Sequence, residues 1–432
     1  MRRAASTSES AGCPKDSPEL SRLRGRMVSQ VAASGRPVSD AVAQAMRAVP
    51  RHLFLPGTDP ELAYRNEPIV TRRSADGEPT SSSSQPTIMA YMLDQLAVAP
   101  GQRVLEIGAG TGYNAALLAH LVGAAGAVVT VDLDEDVADQ ARAHLAVAGY
   151  PDVTVVAADG AAGYPPGAPY DRIIATVGVS DLAPAWREQL VPGGRIVVPL
   201  DLRGSQRSVT FEWDGASWQS RSVIPCGFMR MRGTLAGPER TRVTEDTREL
   251  ALTLPDDRDV DIDALAGLLA AAPAAERATR VTAAPTQLFD GLGLWLALHE
   301  PRWGVLSEPA TGAGLARAPL AVKDHRMTAG VFGADGFAVL ARPSAQPAPG
   351  PPGSGPAAAG QPPVFELTVL GYGPAGPDLA AELAAQVQAW AMARRPGGSD
   401  FSIGGYPRPG TATLPAGAVI ERPHTTFVVR PS

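Results

Sequence analysis

Glycines and acidic residues recur in the first half of the chain where they could hold a ligand that contains a nucleoside. The stretch VLEIGAGTGY places Gly108, Gly110 and Gly112 between an apolar run and a helical pattern. Small residues there let backbone N–H groups approach a ligand closely where the helix begins. Taken alone, such a glycine run also fits a tight strand-to-helix turn without a ligand.

Acidic residues at three further positions favour a ligand with a cationic end and a ribose. Glu106 lies inside the glycine motif, where an anion is unsuited to a pyrophosphate but suits an amino group. Asp132 ends the run AVVTVDLD about 20 residues later, where an acid can accept both ribose hydroxyls. Asp159, followed by Gly160, ends VTVVAADG and is placed to accept an adenine amine. The combination predicts an S-adenosylmethionine site.

The elements that must position these residues are strands that alternate with helices. Short apolar runs and helical patterns alternate over residues 103–199, which predicts an α/β, doubly wound, Rossmann-like sheet with the site at the carboxyl ends of its strands. SVTFEWDGASWQSRSVI predicts an added hairpin that turns at residues 214–215. Apolar residues at helical spacing over 19–46, interrupted at Gly35, predict two preceding helices.

Changes in this pattern divide the chain. Residues 1–17 are polar and are expected to be disordered. Residues 18–237 are assigned to the methyltransferase domain with its helical cap, and residues 238–432 to a C-terminal α+β accessory module with a Pro/Gly-rich linker at 343–363. Pro, Ser, Gly and charged residues between 56 and 86 predict a long irregular segment, a type that is usually functional or disordered.

Composition excludes several classes of protein. With 38 basic and 44 acidic residues, the net charge of −6 gives no general footprint for nucleic acid. Cys13 and Cys226 are too few for a disulfide framework and fit a reducing cytoplasm, with Cys226 expected to be a buried structural thiol. No signal peptide or membrane span is indicated. The six histidines lack metal-ligand spacing, so no metal is predicted, and His52 is expected to pack or cap.

Six segments follow one another between residues 20 and 233: RMVSQVAASGRPVSDAVAQAMRAVPRHLFLP, AYRNEPIV, SQPTIMAYMLDQL, VLEIGAGTGYNAALLA, APYDRII and QLVPGGRIVVPL. Their order and spacing resemble the protein-L-isoaspartate O-methyltransferase family, and a generic methyltransferase would lack VPRHLFLP and SQP. The resemblance implies S-adenosylmethionine as cofactor. It also implies methylation of a carboxyl in a peptide or protein substrate that bears Asp or isoAsp.

The resemblance also assigns substrate residues within and beside the loop SSSSQP. By position, Ser84 would hold the substrate carboxyl beside the methyl donor, with Ser82 and Ser83 where the family usually has Thr-Ile before that serine. The other implied substrate-binding residues are Tyr64, Asn66 and Gln85. Asn66 stands where the family has an acid, so the usual substrate is in question. By composition alone, the serine run fits a flexible polar loop better.

The implied chemistry asks little of the protein. A carboxylate is already anionic at neutral pH, so methyl transfer needs alignment and desolvation rather than a strong base or metal. The resulting ester is a better leaving group, and the neighbouring backbone amide attacks it to give a succinimide, which hydrolyses to Asp and isoAsp.

The long second half and the serine loop resemble extended family members associated with ribosomally synthesised, lanthipeptide-type peptides. That resemblance implies methylation of an aspartyl residue in one modified peptide, leading to isoaspartate. Repair of L-isoaspartyl residues in proteins is the alternative within the family. Two alternatives of other classes are a tRNA methyltransferase, which would share the core fold, and a non-catalytic scaffold that binds a peptide.

Overall fold

The computed structural model describes most of the chain, in the stretches 17–74, 79–246, 249–322, 325–344, 364–410 and 413–432. Cys13, the predicted disordered N-terminus up to residue 16, and residues 345–363 of the predicted linker lie outside these stretches. No helix within them is both long and apolar enough to cross a membrane.

Two amphipathic helices begin the described chain, as the spacing of apolar residues predicts. Each starts at a serine whose hydroxyl accepts a backbone N–H of the first turn, Ser17 from Leu20 and Ser39 from Val42. Their apolar faces bury side chains such as Met27 against the helices that follow. The first three helices are α1 (Pro18–Ala32), α2 (Asp40–Ala48) and α3 (Pro60–Ala63).

The Pro- and Ser-rich segment before residue 86 differs from the prediction of an irregular segment. Part of it is an antiparallel hairpin, in which Ile69 pairs with Ser83 and Val70 with Ser82. The serine run hides this ribbon from sequence analysis, because backbone pairing does not require alternation of apolar and polar residues. The elements are β1 (Ile69–Arg73), β2 (Pro79–Ser83) and α4 (Pro86–Leu96).

A mixed sheet forms the core of the first half of the chain. Its elements are β3 (Arg103–Ile107), α5 (Tyr113–Val122), β4 (Ala127–Asp132), α6 (Glu135–Val147), β5 (Thr154–Ala157), β6 (Tyr170–Ala175), α7 (Pro184–Glu188), β7 (Leu190–Leu202), β8 (Ser205–Trp213) and β9 (Trp218–Pro225). The order β5-β4-β3-β6-β7 is parallel, and β8 and β9 continue it antiparallel. This confirms the predicted Rossmann-like fold.

A second, antiparallel sheet follows. Its elements are β10 (Arg240–Val243), β11 (Ala251–Leu254), α8 (Ile262–Leu269), β12 (Ala275–Ala283), α9 (Pro285–Gln287), α10 (Gly293–His299), β13 (Trp303–Pro309), β14 (Leu320–Val322), β15 (His325–Phe332), β16 (Phe337–Ala341), β17 (Phe365–Tyr372) and α11 (Gly376–Met392). The strand order is β10-β11-β13-β15-β16-β17-β12, with β14 beside β15. One turn of π-helix, Leu288–Leu292, joins α9 to α10. Helix α11 packs on this sheet through buried side chains such as Trp390.

The closing strands return to the first sheet, which differs from the predicted single module of residues 238–432. They are β18 (Phe401–Pro407), β19 (Ala418–Glu421) and β20 (Thr425–Pro431), and they extend the first sheet in the order β9-β18-β20-β19. Phe427 packs against Phe211 with ring centroids 6.4 Å apart, so these strands bury apolar surface on the first sheet. The accessory module, here residues 238–400, is therefore an insertion in the sequence between β9 and β18, which pair with each other in that sheet.

Candidate active site

A cavity of about 670 Å³ opens where the parallel strands of the first sheet end. Three segments form much of its wall: the glycine loop after β3, the β1–β2 hairpin with Ser84 after it, and the segment after β9. The last two are here called the covering segments. The cavity is thus a chamber between a rigid floor and two covering segments.

The glycine loop forms the floor of the cavity, and both its backbone angles and its close contacts favour glycine. Gly108, Gly110 and Gly112 have φ angles of 99°, 51° and 87°, in the left-handed region. A Cβ on Gly108 would lie 2.8 Å from the hydroxyl of Thr176, and one on Gly112 would lie 3.1 Å from the carbonyl oxygen of Ala141. The loop therefore presents backbone to the cavity at the start of α5.

Glu106 lies below this loop with its side chain fully buried. Its two carboxylate oxygens accept hydrogen bonds from Asn114 Nδ2 at 2.7 Å and Thr130 Oγ1 at 2.6 Å. Burial raises the pKa of Glu106 to about 7, and the charge of Asp132 adds to that rise, while the two hydrogen bonds oppose it. Glu106 borders the cavity, so this carboxyl can respond to a cation that binds there.

Asp132 ends β4 at the cavity wall, where the sequence predicts it. Its Oδ2 accepts the N–H of Gly110 at 3.0 Å, and its Oδ1 accepts the N–H of Asp134 at 3.3 Å. A carboxylate oxygen can accept more than one hydrogen bond. Asp132 therefore orders the glycine loop and still has capacity to accept hydrogen bonds from a ligand.

Asp159 follows β5, the third parallel strand along the chain, and its carboxylate is bonded within the protein. Its carboxylate accepts the N–H of Ala161 and both the N–H and the hydroxyl of Thr234, each at 2.9 Å. Burial would raise the pKa of Asp159, but these hydrogen bonds outweigh that effect and hold it below its usual range. The neighbouring Gly160 borders the cavity and Asp159 itself does not. The carboxylate secures the segment after β9 instead of facing the chamber.

The serine loop borders the cavity as expected, with Ser82, Ser83, Ser84 and Gln85 all in its wall. Ser84 is half-buried, and its carbonyl oxygen accepts a hydrogen bond from Arg51 Nη1 at 3.0 Å. Ser83 is 3% exposed, and its hydroxyl has no hydrogen-bond partner within the described stretches. The loop therefore offers hydroxyl groups to the chamber from a firmly held backbone.

Tyr64 and Asn66, the other predicted substrate-binding residues, do not border the cavity. The hydroxyl of Tyr64 is 2.8 Å from Nδ1 of His52, among packed helices. Asn66 Oδ1 accepts the N–H of Thr87 at 3.0 Å and its hydroxyl at 2.9 Å, which caps the start of α4. The polar groups of both residues are thus bonded to neighbouring backbone and side chains outside the cavity wall.

Two arginines that sequence analysis did not single out meet at the mouth of the cavity. Arg72 of β1 and Arg232, after β9, each contact Oδ2 of Asp134, at 2.9 and 2.6 Å. The hydrogen bond from Arg232 is the main cause of a lowered pKa at Asp134. These ion pairs join the two covering segments across the mouth, and no motif signals them because the partners are far apart in sequence.

Cys226 is buried, as predicted for a structural thiol, and burial raises its pKa to about 12. A thiol with such a pKa is protonated at neutral pH and is a poor nucleophile. The cavity wall therefore offers hydroxyl, carboxylate and backbone groups for binding rather than a covalent catalyst.

Residues 22–234 match the family model described as protein-L-isoaspartate(D-aspartate) O-methyltransferase. Three relatives bear the name protein-L-isoaspartate O-methyltransferase. That of Methanoregula boonei is 41% identical over 49% of this chain and 93% of its own length, and that of Methanopyrus kandleri is 41% identical over 44% and 83%. That of Thermotoga maritima is 42% identical over 40% of this chain, and the match spans 55% of the relative.

Solved structures are also similar. One titled protein-L-isoaspartate O-methyltransferase aligns with 88% of this chain and 96% of its own, at 22% identity and a TM-score of 0.48. A Plasmodium falciparum structure, titled as a putative enzyme of the same name in complex with S-adenosyl-L-homocysteine, aligns with 48% of this chain and 98% of its own, at 15% identity and a TM-score of 0.43.

Proposed function

Because this chain belongs to the protein-L-isoaspartate(D-aspartate) O-methyltransferase family, we propose that it methylates the free carboxyl of an L-isoaspartyl residue in a peptide or protein. Members of the family use S-adenosylmethionine as methyl donor. The observation that carries the proposal is a single chamber that has the glycine loop and Asp132 on one side and the serine loop on the other.

The chamber fits this cofactor. The glycine loop leaves no room for side chains at Gly108 and Gly112, which suits a ligand that lies against backbone. Asp132 would hold the ribose hydroxyls, and Glu106 would face the amino group of the methionine moiety. Bound S-adenosylmethionine supplies an electrophilic methyl group. Asp159, whose carboxylate already accepts three hydrogen bonds from Thr234 and Ala161, is better suited to shaping the adenine end than to contacting it.

The protein's part in the reaction is alignment of the acceptor. An isoaspartyl carboxylate is anionic at neutral pH, so no group needs to remove a proton from it. A hydroxyl such as that of Ser84 could donate a hydrogen bond to one carboxylate oxygen and leave the other oriented toward the methyl group. Alignment of this kind, with water excluded by the covering segments, lowers the barrier by several kcal/mol.

The narrower reading, methylation of an ordinary aspartyl residue in one modified ribosomal peptide, has less support, because the relatives are named for isoaspartate. Two observations keep it as the second candidate. The loop has Ser82 and Ser83 where family members usually have other residues, and the accessory module contributes Phe289 to the cavity wall. The remaining alternatives, a tRNA methyltransferase and a non-catalytic scaffold, gain no support from an acidic chain with an intact glycine loop.

The proposal is tested with two synthetic peptides that differ only in whether one residue is isoaspartate or aspartate. We expect mass spectrometry to show a methyl ester on the isoaspartyl peptide in the presence of S-adenosylmethionine, followed by its conversion to succinimide. Esterification of the aspartyl peptide alone would favour the second candidate. Methylation of neither peptide would contradict both.

Replacement of Ser84 by alanine is expected to slow methyl transfer about tenfold or more while cofactor affinity changes little, since the lost hydroxyl acts on the acceptor. Steady-state kinetics with the isoaspartyl peptide, alongside calorimetry with S-adenosylhomocysteine, separates the two effects. Ser29→Ala, at an exposed position of α1 outside the cavity wall, is the matched control. Equal activity of Ser84→Ala and Ser29→Ala would remove Ser84 from the acceptor site.

Cofactor affinity is expected to rise with pH between about 6 and about 7.5, because the pKa of Glu106 is raised to about 7. A cationic amino group beside Glu106 favours the carboxylate and lowers its pKa. At a pH below about 7, where the free protein holds this proton, binding of the cofactor must therefore release it from Glu106. At pH 7 the heat of binding should therefore depend on the ionisation enthalpy of the buffer. Glu106→Gln should abolish that dependence.

The stability of the free protein should respond to pH in the opposite sense. A raised pKa in the folded state means that the native protein holds this proton more tightly than the unfolded chain. The stabilisation is fully present below the unfolded pKa and is lost as the pH rises toward 7.

For the cofactor, an affinity that does not depend on pH between about 6 and about 7.5 would place the amino group away from Glu106.

A further inference from the structure

Three apolar side chains stand exposed around the mouth of the cavity. Val70, on β1, is 40% exposed, Leu133, directly after β4, is 40% exposed, and Phe289 is 52% exposed. All three belong to the cavity wall. We call them the apolar rim. Two come from the methyltransferase part of the chain, but Phe289 comes from the accessory module.

The backbone at Phe289 is fixed to the first sheet. Arg207 of β8 is 1% exposed, and its Nη2 donates to the carbonyl oxygens of Phe289 at 3.2 Å and Asp290 at 2.6 Å. The carboxylate of Asp290 lies 3.8 Å from Nε of Arg207 and accepts the N–H of Gly398 at 3.0 Å. A buried guanidinium thus holds the π-helix at the cavity.

Packing on the other face of the π-helix fixes the direction of Phe289. Leu288 and Leu292 are buried in the core of the accessory module, 4% and 1% exposed. Gly291 is so close to that core that a Cβ there would lie 3.0 Å from the ring of Trp390. The helix cannot rotate to bury Phe289 without moving these contacts. Phe289 therefore stays on the side of the π-helix that borders the cavity.

Charges at the mouth are already paired within the protein. Arg72 and Arg232 both contact Asp134, and Arg230 is paired with the largely buried Glu239. The arginines at this edge are therefore engaged by partners within the protein, and the apolar rim is left to supply apolar contacts to a substrate. Burial of apolar surface is the main source of affinity that such a rim can supply.

A peptide that places a carboxyl in the chamber must lead its chain across this rim. Consecutive residues advance about 3.3 to 3.6 Å each, so the neighbours of the modified residue lie at the mouth. We propose that the apolar rim selects isoaspartyl peptides in which bulky apolar side chains flank the isoaspartate, with Phe289 as the specificity-determining residue. This inference rests on the proposed function.

The test compares two isoaspartyl peptides that are identical except for leucine or serine on both sides of the isoaspartate. For the unaltered full-length protein we expect kcat/KM for the leucine peptide to exceed that for the serine peptide by about tenfold, mainly through KM. Phe289→Ala should reduce this ratio to about threefold or less, and Phe289→Leu should restore most of it.

Met392→Ala is the matched control, because Met392 is 79% exposed at the end of α11 and does not border the cavity. It should leave the ratio as it is. Affinity for S-adenosylhomocysteine, measured for every variant, reports on folding of the cofactor site. A kcat/KM ratio near one in the unaltered protein overturns the inference, and so does a ratio that Phe289→Ala leaves unchanged. In either case, turnover of both peptides still supports the proposed function. Methylation of neither peptide overturns both.

Discussion

Replacement of Asp132 by alanine is expected to weaken binding of S-adenosylmethionine by at least about tenfold, since charge-assisted hydrogen bonds to a ribose contribute roughly 2 to 4 kcal/mol together. The structure adds a second reason. Asp132 also accepts the N–H of Gly110, so its loss releases the loop that forms the floor of the cavity. Both effects should make cofactor binding weaker.

Calorimetry with S-adenosylhomocysteine measures this loss, and two variants sharpen it. Asp132→Asn keeps an acceptor for the loop but not the charge. Its affinity for S-adenosylhomocysteine should therefore lie between that of the unaltered protein and that of Asp132→Ala. Asp136→Ala removes a nearby carboxylate that contacts Arg72 at 3.0 Å and does not border the cavity, so it controls for net charge. If Asp132→Ala binds as tightly as Asp136→Ala, the ribose site lies elsewhere.

Arg51→Met is expected to lower the free energy of unfolding by about 2 to 4 kcal/mol, because it leaves one buried and one half-buried carbonyl oxygen without this donor. Arg51 is fully buried, and it donates from Nε to Ala63 at 2.9 Å and from Nη1 to Ser84 at 3.0 Å. Burial lowers its pKa to about 10, so the guanidinium remains charged at neutral pH. The guanidinium carbon lies over the ring of Tyr113, 5.2 Å from the ring centroid, in a cation–π contact.

The same substitution should reduce kcat/KM, since the backbone of Ser84 loses its support. Denaturant unfolding and peptide kinetics together measure the two effects. Arg47→Met, at an exposed position of α2, is the matched control and should change neither. Arg51→Lys should recover charge but not both hydrogen bonds, so it should remain less stable than the native protein. A stable and fully active Arg51→Met would show that the loop holds itself in place.

The glycines and the ends of β3 and β4 could be predicted because their signals are local. Glu106 is the second-last residue of β3 and Asp132 the last of β4, and only glycine tolerates the left-handed backbone at Gly108. The direction of a side chain at a strand end is not local. Asp159 satisfies that pattern equally well, but its carboxylate is taken by Thr234, 75 residues further along the chain.

The covering segments could not be derived from sequence for the same reason. Asp134 brings together Arg72 and Arg232, which lie 62 and 98 residues from it. The β1–β2 hairpin carries serines and a proline, so neither strand shows apolar alternation. The return of β18 to β9 likewise depends on which sheet edge is free, and this is a property of the assembled fold.

The strands β18, β19 and β20 are made by the ribosome after every other described element, and they complete a sheet that begins some 300 residues earlier. Until they emerge, β9 is an open edge with an unpaired ladder, the kind of surface that templates wrong pairing. Synthesis at about 5 to 20 residues per second leaves that edge uncovered for many seconds while the accessory module is translated. The nascent chain therefore has a defined window for aggregation or chaperone binding, which closes only when β18 docks.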